Sequence, residues 1–155
     1  MSSIRSEAWL HLKRIARFGD TDAAGVMHFY QLFRWCHESW EESLDLYGVS
    51  PKKVFPNLYS YNAQRLIVLP IVHCEAKFWS PIETGDHLSV EVSPEILNES
   101  SFKVTTKYKR DNQDVAVGIL VHRSINAETR AHCPLPEDIA RWIEASLLNK
   151  GIRLV

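Results

Sequence analysis

The apolar residues of this chain follow two periods, and the change from one to the other predicts the order of its elements. After Gly25 they recur at spacings of three and four, which is the period of a helix with one buried stripe. These residues are Val26, Phe29, Phe33, Cys36, Trp40, Leu44 and Tyr47. Gly48 and then Pro51 supply stop signals. The pattern therefore predicts one long helix over residues 29–47.

From residue 72 onward the apolar period falls to two, as in strands that cover one face. The strand segments follow one another at about 72–79, 88–93, 102–109 and 115–125. The breaks between them are short and polar, so neighbouring segments are expected to pair as antiparallel hairpins. Another strand, over about residues 9–18, precedes the long helix, and Pro136 opens a last helix.

A twisted sheet can wrap a helix of this length from end to end. At ~1.5 Å per residue the helix is about 28 Å long, and a nine-residue strand at ~3.3 Å per residue is nearly the same. We therefore predict an α+β fold in which an antiparallel five-stranded sheet wraps around a long central helix, with a C-terminal helix. Residues 52–65 lose both periods and are expected to form a loop with room for a short helical turn, as a lid or a dimer contact.

The length and net charge of the chain limit the number of domains and the kinds of partner that it is expected to have. A chain of 155 residues fits a single domain, 1–155, and 18 Lys and Arg against 19 Asp and Glu leave a net charge of −1. This balance predicts neither a nucleic-acid nor a membrane partner, so an anionic ligand must be met by local charge. There is no bilayer-length apolar run and no signal-peptide core in residues 1–7, which predicts a soluble, cytoplasmic protein.

Three cysteines each neighbour a histidine, at Cys36, Cys74 and Cys133, which raises the question of a metal site. Adjacent side chains point to opposite faces of a strand and diverge by about 100° on a helix, so such a pair rarely chelates one ion. The odd count without CxxC spacing also argues against a disulfide framework. We predict buried small cysteines, no metal and no cofactor.

The candidate chemistry lies in residues 17–30, where two carboxylates and two glycines stand between the first strand and the long helix. A carboxylate beside a helix N-terminus is close to unpaired backbone N–H groups and to the positive end of the helix dipole. This arrangement suits acyl transfer. From the residues alone, the favoured interpretation of Asp22 is an N-cap of the helix, and that of Asp20 is a turn or cap residue.

The chain resembles the 4-hydroxybenzoyl-CoA thioesterase family of hotdog proteins in three features. They are the Asp-x-Asp-x-x-Gly signature at Asp20, Asp22 and Gly25, the aromatic-rich helix that follows it, and the later segment Leu69-Pro70-Ile71-Val72. The fuller string 20–29, with residues 34–38 downstream, is most similar to the branch that hydrolyses 1,4-dihydroxy-2-naphthoyl-CoA in phylloquinone synthesis. The resemblance covers nearly the whole chain. It implies a hotdog fold, an acyl-CoA substrate, and a homodimer or homotetramer with sites at the subunit interface.

The resemblance also implies roles for particular residues. Asp22 would be the catalytic carboxylate, either as nucleophile or as general base toward water. The backbone N–H of Phe29 would hold the thioester oxygen, with Phe29 also contacting substrate. Gly25 would let the backbone approach the acyl group, although an ordinary turn glycine explains it equally well.

Three histidines complete the predicted substrate contacts. His37 stands where relatives acting on hydroxybenzoyl thioesters carry an aspartate that reaches the ring hydroxyl from the neighbouring subunit; a half-buried histidine beside Trp40 is the alternative. His73 is expected to point toward the acyl pocket or the interface. His28 either lines the pocket or is solvated.

The coenzyme A phosphates have no clear partner in the sequence. The turn 98–101, basic in some relatives, reads Asn-Glu-Ser-Ser here, which leaves Lys103, Arg110, Arg123 and Arg130 as candidates. Two other functions stay open, a broader acyl-CoA or acyl-carrier thioesterase and a non-catalytic module that binds an acyl thioester. Release of free thiol distinguishes the module from the enzymes.

Overall fold

A computed structural model describes residues 8–57 and 66–148. Its helices are α1 (Phe29–Tyr47), α2 (Pro51–Val54) and α3 (Glu137–Leu148). Its strands are β1 (His11–Ile15), β2 (Ile67–Val68), β3 (Ile71–Phe78), β4 (His87–Asn98), β5 (Ser101–Arg110), β6 (Gln113–Arg123) and β7 (Ile125–Asn126). None of the helices within these ranges is long and apolar enough to cross a bilayer.

The main sheet has five antiparallel strands in the order β1-β4-β5-β6-β3, and β2 and β7 form a separate pair. This confirms the predicted α+β architecture with its long helix and C-terminal helix. The first strand is shorter than predicted, because 3-10 turns at Ala8–Leu10 and Phe18–Asp20 take up its ends. The predicted loop contains α2, and its residues 58–65 lie outside the described ranges, together with any lid or dimer contact there.

The interior forms where α1 lies against the concave sheet. Leu32, Trp40 and Leu44 on one stripe of the helix are fully buried. They belong to the same cluster as Tyr108 on β5 and Leu120 on β6. The helical period is confirmed, but the predicted stripe is only partly right. Its members Cys36, Trp40 and Leu44 are buried, whereas Phe33 and Tyr47 are half-buried and Phe29 is exposed.

The two ends of α1 are closed differently. At the C-terminus Gly48 adopts a left-handed conformation with φ 118°, and its N–H donates to the carbonyls of Leu44 and Asp45. This confirms the predicted stop. The N-terminus begins at Phe29, whose side chain is 65% exposed. The buried stripe therefore starts about one turn into α1, and Phe29, the first residue of the helix, faces solvent.

β3 is an edge strand, and the described residues 8–57 and 66–148 cover neither of its faces. All eight residues from Ile71 to Phe78 are exposed, and β6 is the one strand of the described part of the chain that pairs with β3. The alternation of apolar Val72, Cys74, Ala76 and Phe78 with polar neighbours nevertheless marks one face as apolar. An unpaired edge beside an exposed apolar face is the usual signature of a surface that another chain covers.

Gly118 on β6 lies where α1 comes nearest to the sheet. A Cβ built at this position would overlap the Sγ of Cys36. The buried thiol also lies 3.6 Å from the Tyr108 hydroxyl, and burial raises its pKa to about 11. The glycine thus makes room for a helix side chain rather than for a turn.

Gly118→Ala is expected to destabilise the fold by about 1–3 kcal/mol, because the added methyl overpacks against Cys36. Chemical denaturation of wild type and variant measures the difference. The double variant Gly118→Ala with Cys36→Ala removes the overlapping sulfur and should recover most of the loss relative to Cys36→Ala alone. Equal losses in both backgrounds would contradict this packing account.

Candidate active site

Asp22 lies in a tight turn between β1 and α1. Its N–H donates to the Val26 carbonyl at 2.9 Å, and its own carbonyl accepts from the Gly25 N–H at 3.0 Å. Its Oδ1 accepts from the Ala24 N–H at 2.8 Å. The side chain is exposed, so one carboxylate oxygen is held by the backbone and the other is presented outward.

Gly25 closes this turn with φ +80°, a conformation that favours glycine. Apart from its two chain neighbours, no described residue has an atom within 4 Å of a Cβ built there. The glycine is therefore required within this chain by backbone conformation and not by a close neighbour. Contact with an acyl group, the other prediction for Gly25, stays a prediction.

Asp20 anchors the loop. Its Oδ1 accepts from the indole N–H of Trp35 at 3.4 Å, and its Oδ2 accepts from the Arg17 N–H at 2.8 Å. Its backbone carbonyl accepts from the His28 N–H at 3.0 Å. With both carboxylate oxygens engaged, Asp20 ties the loop to α1, whereas Asp22 keeps an oxygen available.

The cap of α1 is His28, not Asp22. The His28 Nδ1 accepts from the Tyr30 N–H at 3.3 Å, and the His28 carbonyl accepts from the Gln31 N–H at 3.0 Å. The N-cap interpretation of Asp22 is therefore wrong. The first helical amide, on Phe29, has no intrahelical acceptor, and no hydrogen bond to it is formed by residues 8–57 or 66–148.

Asp22 and Phe29 line the same groove, of about 440 Å³, which we call the Asp22 groove. Its opposite wall is the end of β3 and the segment after it. The complete lining is Asp22, Val26, Met27, Phe29, Phe78, Trp79, Ser80, Pro81 and Ile82. A carboxylate, a helix N-terminus and aromatic walls therefore meet at one open site.

The wall formed by residues 78–82 was not predicted from the sequence. Its exposed aromatic residues, Phe78 and Trp79, end an alternating strand and give no periodic signal of their own. Arg110 holds this wall in place by donating to the Ser80 hydroxyl and the Pro81 carbonyl, both at 2.9 Å. Because Arg110 also pairs with Asp86 at 2.6 Å, it is occupied as a structural residue.

His37 lies farther along α1 and does not line the Asp22 groove of its own chain. It is half-buried, with its ring 5.0 Å from Trp40, 5.8 Å from Phe55 and 5.5 Å from His122. Burial lowers the pKa of His37, although the carboxylates of Glu41 and Glu38 act in the opposite direction. The imidazole is therefore neutral at pH 7 and able both to donate and to accept a hydrogen bond.

His122 is a buried partner of His37 that the sequence did not reveal. Its Nδ1 lies 2.9 Å from the Leu69 carbonyl and its ring stacks on Phe102 at 5.1 Å. Burial lowers its pKa to about 4, so the ring is neutral and Nδ1 carries the donated hydrogen. Within the described ranges, Nε2 has no hydrogen-bond partner. In the sequence, His122 is a single polar residue within an apolar strand segment, and nothing in the pattern indicates its proximity to His37.

His73 lies on β3, outside the groove lining, with its Nε2 2.9 Å from Glu75 Oε2. Both side chains are more than half exposed. Of the cysteines, Cys36 is buried, Cys133 is partly buried and Cys74 is exposed on β3, contrary to the prediction that all are buried. In the described part of the chain, no group of three or more His, Cys, Asp or Glu is placed to hold a metal ion.

Comparison with known proteins gives consistent matches. The model of a family described as the thioesterase-like superfamily matches residues 16–143. The 1,4-dihydroxy-2-naphthoyl-CoA hydrolase of one Prochlorococcus marinus strain is 52% identical over 155 residues, 100% of each chain. That of Prochlorococcus marinus strain MIT 9211 is 51% identical over 147 residues, 95% of this chain and 97% of the other.

A solved structure agrees with these sequence matches. The crystal structure of a 1,4-dihydroxy-2-naphthoyl-CoA thioesterase from Synechocystis superposes with a TM-score of 0.76 at 26% identity, covering 86% of this chain and 94% of the other. The family match from residue 16 to residue 143 includes the Asp22 turn, α1 and the wall after β3. The similarity therefore extends over every element that forms the groove.

Proposed function

This chain belongs to the thioesterase-like superfamily of hotdog thioester hydrolases, and we propose that its substrate is 1,4-dihydroxy-2-naphthoyl-CoA, hydrolysed to 1,4-dihydroxy-2-naphthoate and free coenzyme A. The observation that carries the site assignment is the groove that Asp22 shares with Phe29, the first residue of α1. The substrate assignment is supported by the names of relatives about half identical over nearly the whole chain. We propose that residues 1–155 act as one thioesterase unit in the cytoplasm of a phylloquinone-making cell.

Asp22 supplies the reacting carboxylate in this proposal. The Ala24 N–H holds one of its oxygens at 2.8 Å, which aims the other at the groove. That oxygen either attacks the thioester carbon or takes a proton from the attacking water. The thiolate is a good leaving group, so the groove needs no strong general acid. A single carboxylate is then sufficient.

The Phe29 amide receives the negative charge that develops on the thioester oxygen. It is the first amide of α1, where the helix dipole is positive and no intrahelical carbonyl competes. A preorganised donor of this kind is worth about 3–4 kcal/mol of barrier. His28 keeps the next amide occupied, which leaves Phe29 as the free donor. His28 and Gly25, which do not line the Asp22 groove in the single chain, are proposed to contact the acyl group of the bound substrate.

The aromatic ring of the substrate fits the apolar side of the groove. Phe29, Phe78 and Trp79 offer exposed aromatic surface there, and aromatic pairs gain about 0.5–1.5 kcal/mol beyond burial. His37 and His73 would meet the ring hydroxyls and the acyl portion from a neighbouring subunit. A neutral His37 suits a dihydroxylated ring because it both donates and accepts.

We propose that two copies join through β3. The strand has a free edge and exposed residues on both faces, and Phe78 at its end lines the Asp22 groove. Antiparallel pairing of two β3 strands would therefore make one continuous sheet and cover the open side of each groove. Pairing of two such dimers would give the tetramer.

Asp22→Asn is expected to abolish turnover and leave the fold intact. The asparagine oxygen accepts the Ala24 hydrogen bond as before, but the amide is neither base nor nucleophile. A thiol-release assay with 1,4-dihydroxy-2-naphthoyl-CoA should show kcat reduced by at least about 10²-fold, with a near-native melting temperature.

Asp20→Asn is the matched control for that variant. Both Asp20 oxygens accept hydrogen bonds, and one asparagine oxygen can replace only one of them, so stability should fall by about 1 kcal/mol while kcat stays near wild type. The assignment of Asp22 is lost if Asp22→Asn keeps its activity. Wild type that binds the thioester without releasing thiol would identify a non-catalytic module instead.

His37→Ala is expected to lower the ratio of the kcat/KM values for the dihydroxynaphthoyl and benzoyl thioesters by about 3- to 10-fold, the value of one hydrogen bond. Parallel thiol-release assays with the two substrates measure this ratio, and the ratio is insensitive to a general loss of folded protein. An unchanged ratio would reduce His37 to a packing residue against Trp40.

Val72→Glu is expected to split the dimer and lower activity with it. Val72 is 54% exposed, so the substitution should change subunit stability by less than about 0.5 kcal/mol but place a charge in the joined sheet. Sedimentation equilibrium reports the subunit mass. Ile96→Glu on β4, at a residue 46% exposed and away from the β3 edge, is the control. A Val72→Glu protein that sediments like wild type would exclude this interface.

A further inference from the structure

Four rings surround a buried imidazole between α1 and the sheet. His122 on β6 is fully buried, and its ring stacks on Phe102 at 5.1 Å with 12° between the two planes. The Trp40 ring lies 5.1 Å from His122 and the His37 ring 5.5 Å from it, both edge to face. We call the rings of His37, Trp40, Phe102 and His122 the His122 cluster. Because buried polar groups need hydrogen-bond partners, the two nitrogens of His122 decide what this cluster can do.

One nitrogen of His122 is committed as a donor. Nδ1 lies 2.9 Å from the Leu69 carbonyl, and a carbonyl oxygen only accepts hydrogen bonds, so Nδ1 carries the hydrogen. Burial lowers the pKa of His122 to about 4, although the Leu69 carbonyl acts in the opposite direction. The ring is therefore neutral at pH 7, and its Nε2 is an acceptor with an unshared electron pair.

That acceptor lacks a donor. In residues 8–57 and 66–148, no group donates a hydrogen bond to Nε2 of His122. A buried acceptor left in this way costs about 1–3 kcal/mol, so a neighbouring N–H that can turn toward it gains that free energy. Two other rings of the His122 cluster carry an N–H, those of Trp40 and His37.

His37 can turn toward His122, and Trp40 cannot. The Trp40 indole is fully buried against the rings of Phe55 and Phe102, at 5.3 and 5.7 Å, so turning it would repack the core. The His37 ring is half-buried, and rotation about its Cβ–Cγ bond redirects its N–H without any movement of the backbone. His37 is therefore the donor that fits Nε2 of His122.

We propose that His122 is a positioning residue that fixes the tautomer of His37, because Nε2 of His122 accepts a hydrogen bond from one ring N–H of His37. The other nitrogen of a neutral His37 is then an acceptor. Turned toward the Asp22 groove of a neighbouring subunit, it accepts a hydrogen bond from a ring hydroxyl of the substrate. This inference rests on the proposed thioesterase function, in which His37 meets the substrate ring.

The direction of these hydrogen bonds gives the site a chemical preference. The substrate hydroxyl donates to His37, His37 donates to His122, and His122 donates to the Leu69 carbonyl. A phenolic hydroxyl completes this series, whereas a quinone oxygen only accepts and would place its electron pairs against that of His37. The arrangement therefore selects the hydroquinone form of a naphthoyl ring over the quinone form, and a hydroxylated ring over an unsubstituted one.

Replacement of His122 tests the proposal with two thioesters that differ by one hydroxyl, 1,4-dihydroxy-2-naphthoyl-CoA and 1-hydroxy-2-naphthoyl-CoA. His122→Phe keeps a flat ring against Phe102 but has no nitrogen. We expect it to lower the ratio of the two kcat/KM values by about 3- to 10-fold, the value of one hydrogen bond. His122→Gln keeps an N–H and an acceptor oxygen and should restore most of the ratio. A general loss of folded protein does not change this ratio.

Two further variants separate positioning from packing. The double variant His37→Ala with His122→Phe should have the same ratio as His37→Ala alone, because His122 acts through His37. Trp142→Phe is the packing control. It loosens the same core through Trp40, whose ring lies 5.9 Å from that of Trp142, but removes no atom of either histidine, so it should keep the wild-type ratio.

The tautomer is measured directly by NMR of protein labelled with 15N in its histidines, since the protonated and unprotonated nitrogens of a neutral imidazole have separate chemical shifts. The signals of His37 are those that His37→Ala removes. At pH 7 they should show a single tautomer in wild type and an average of the two tautomers in His122→Phe. This measurement needs no turnover, so it decides whether His122 positions His37 even if neither thioester is hydrolysed.

The proposal is overturned if His37 already averages between tautomers in wild type, a result that needs no folded variant of His122. A single His37 tautomer that persists in His122→Phe would overturn it as well. So would a substrate ratio that stays at the wild-type value in His122→Phe, or one that falls further in the double variant than in His37→Ala. Loss of the ratio in Trp142→Phe would attribute the effect to packing of the core.

Discussion

The packing of α1 into the concave sheet is the contact on which the rest of the molecule depends. Trp40, Leu32 and Leu44 are fully buried in it, and full burial of such side chains is worth about 1.5–3 kcal/mol each. The approach is so close that β6 must carry Gly118 opposite Cys36. Because close packing of this kind restricts movement of the helix, it also constrains the position and direction of the first amides of α1.

The proposed chemistry uses that rigidity at the end of the helix. His28 caps the second amide and leaves the Phe29 amide without an intrahelical partner. Asp20 ties down the loop before it, so that Asp22 faces the same groove. A donor and a carboxylate on separate anchored segments need little reorganisation as charge develops on the thioester oxygen.

The order and kind of the helices and strands follow from the amino-acid sequence. The period-three-and-four stripe ending at Gly48 located α1, and the period-two segments located the sheet, because each period reports which side chains share a face. The Asp-x-Asp-x-x-Gly signature indicated the family. These patterns involve residues close together in the sequence, so they can be recognised in one amino-acid sequence without knowledge of the fold.

Contacts between residues far apart in the chain become known from the three-dimensional structure. It assigned the cap to His28 instead of Asp22, brought residues 78–82 opposite Asp22, and placed buried His122 beside His37. It also left β3 exposed on both faces. None of this could be read from periodicity, because a pattern fixes the face of an element but not its neighbour, and distance in space between segments far apart in the chain is set by how the sheet closes around α1.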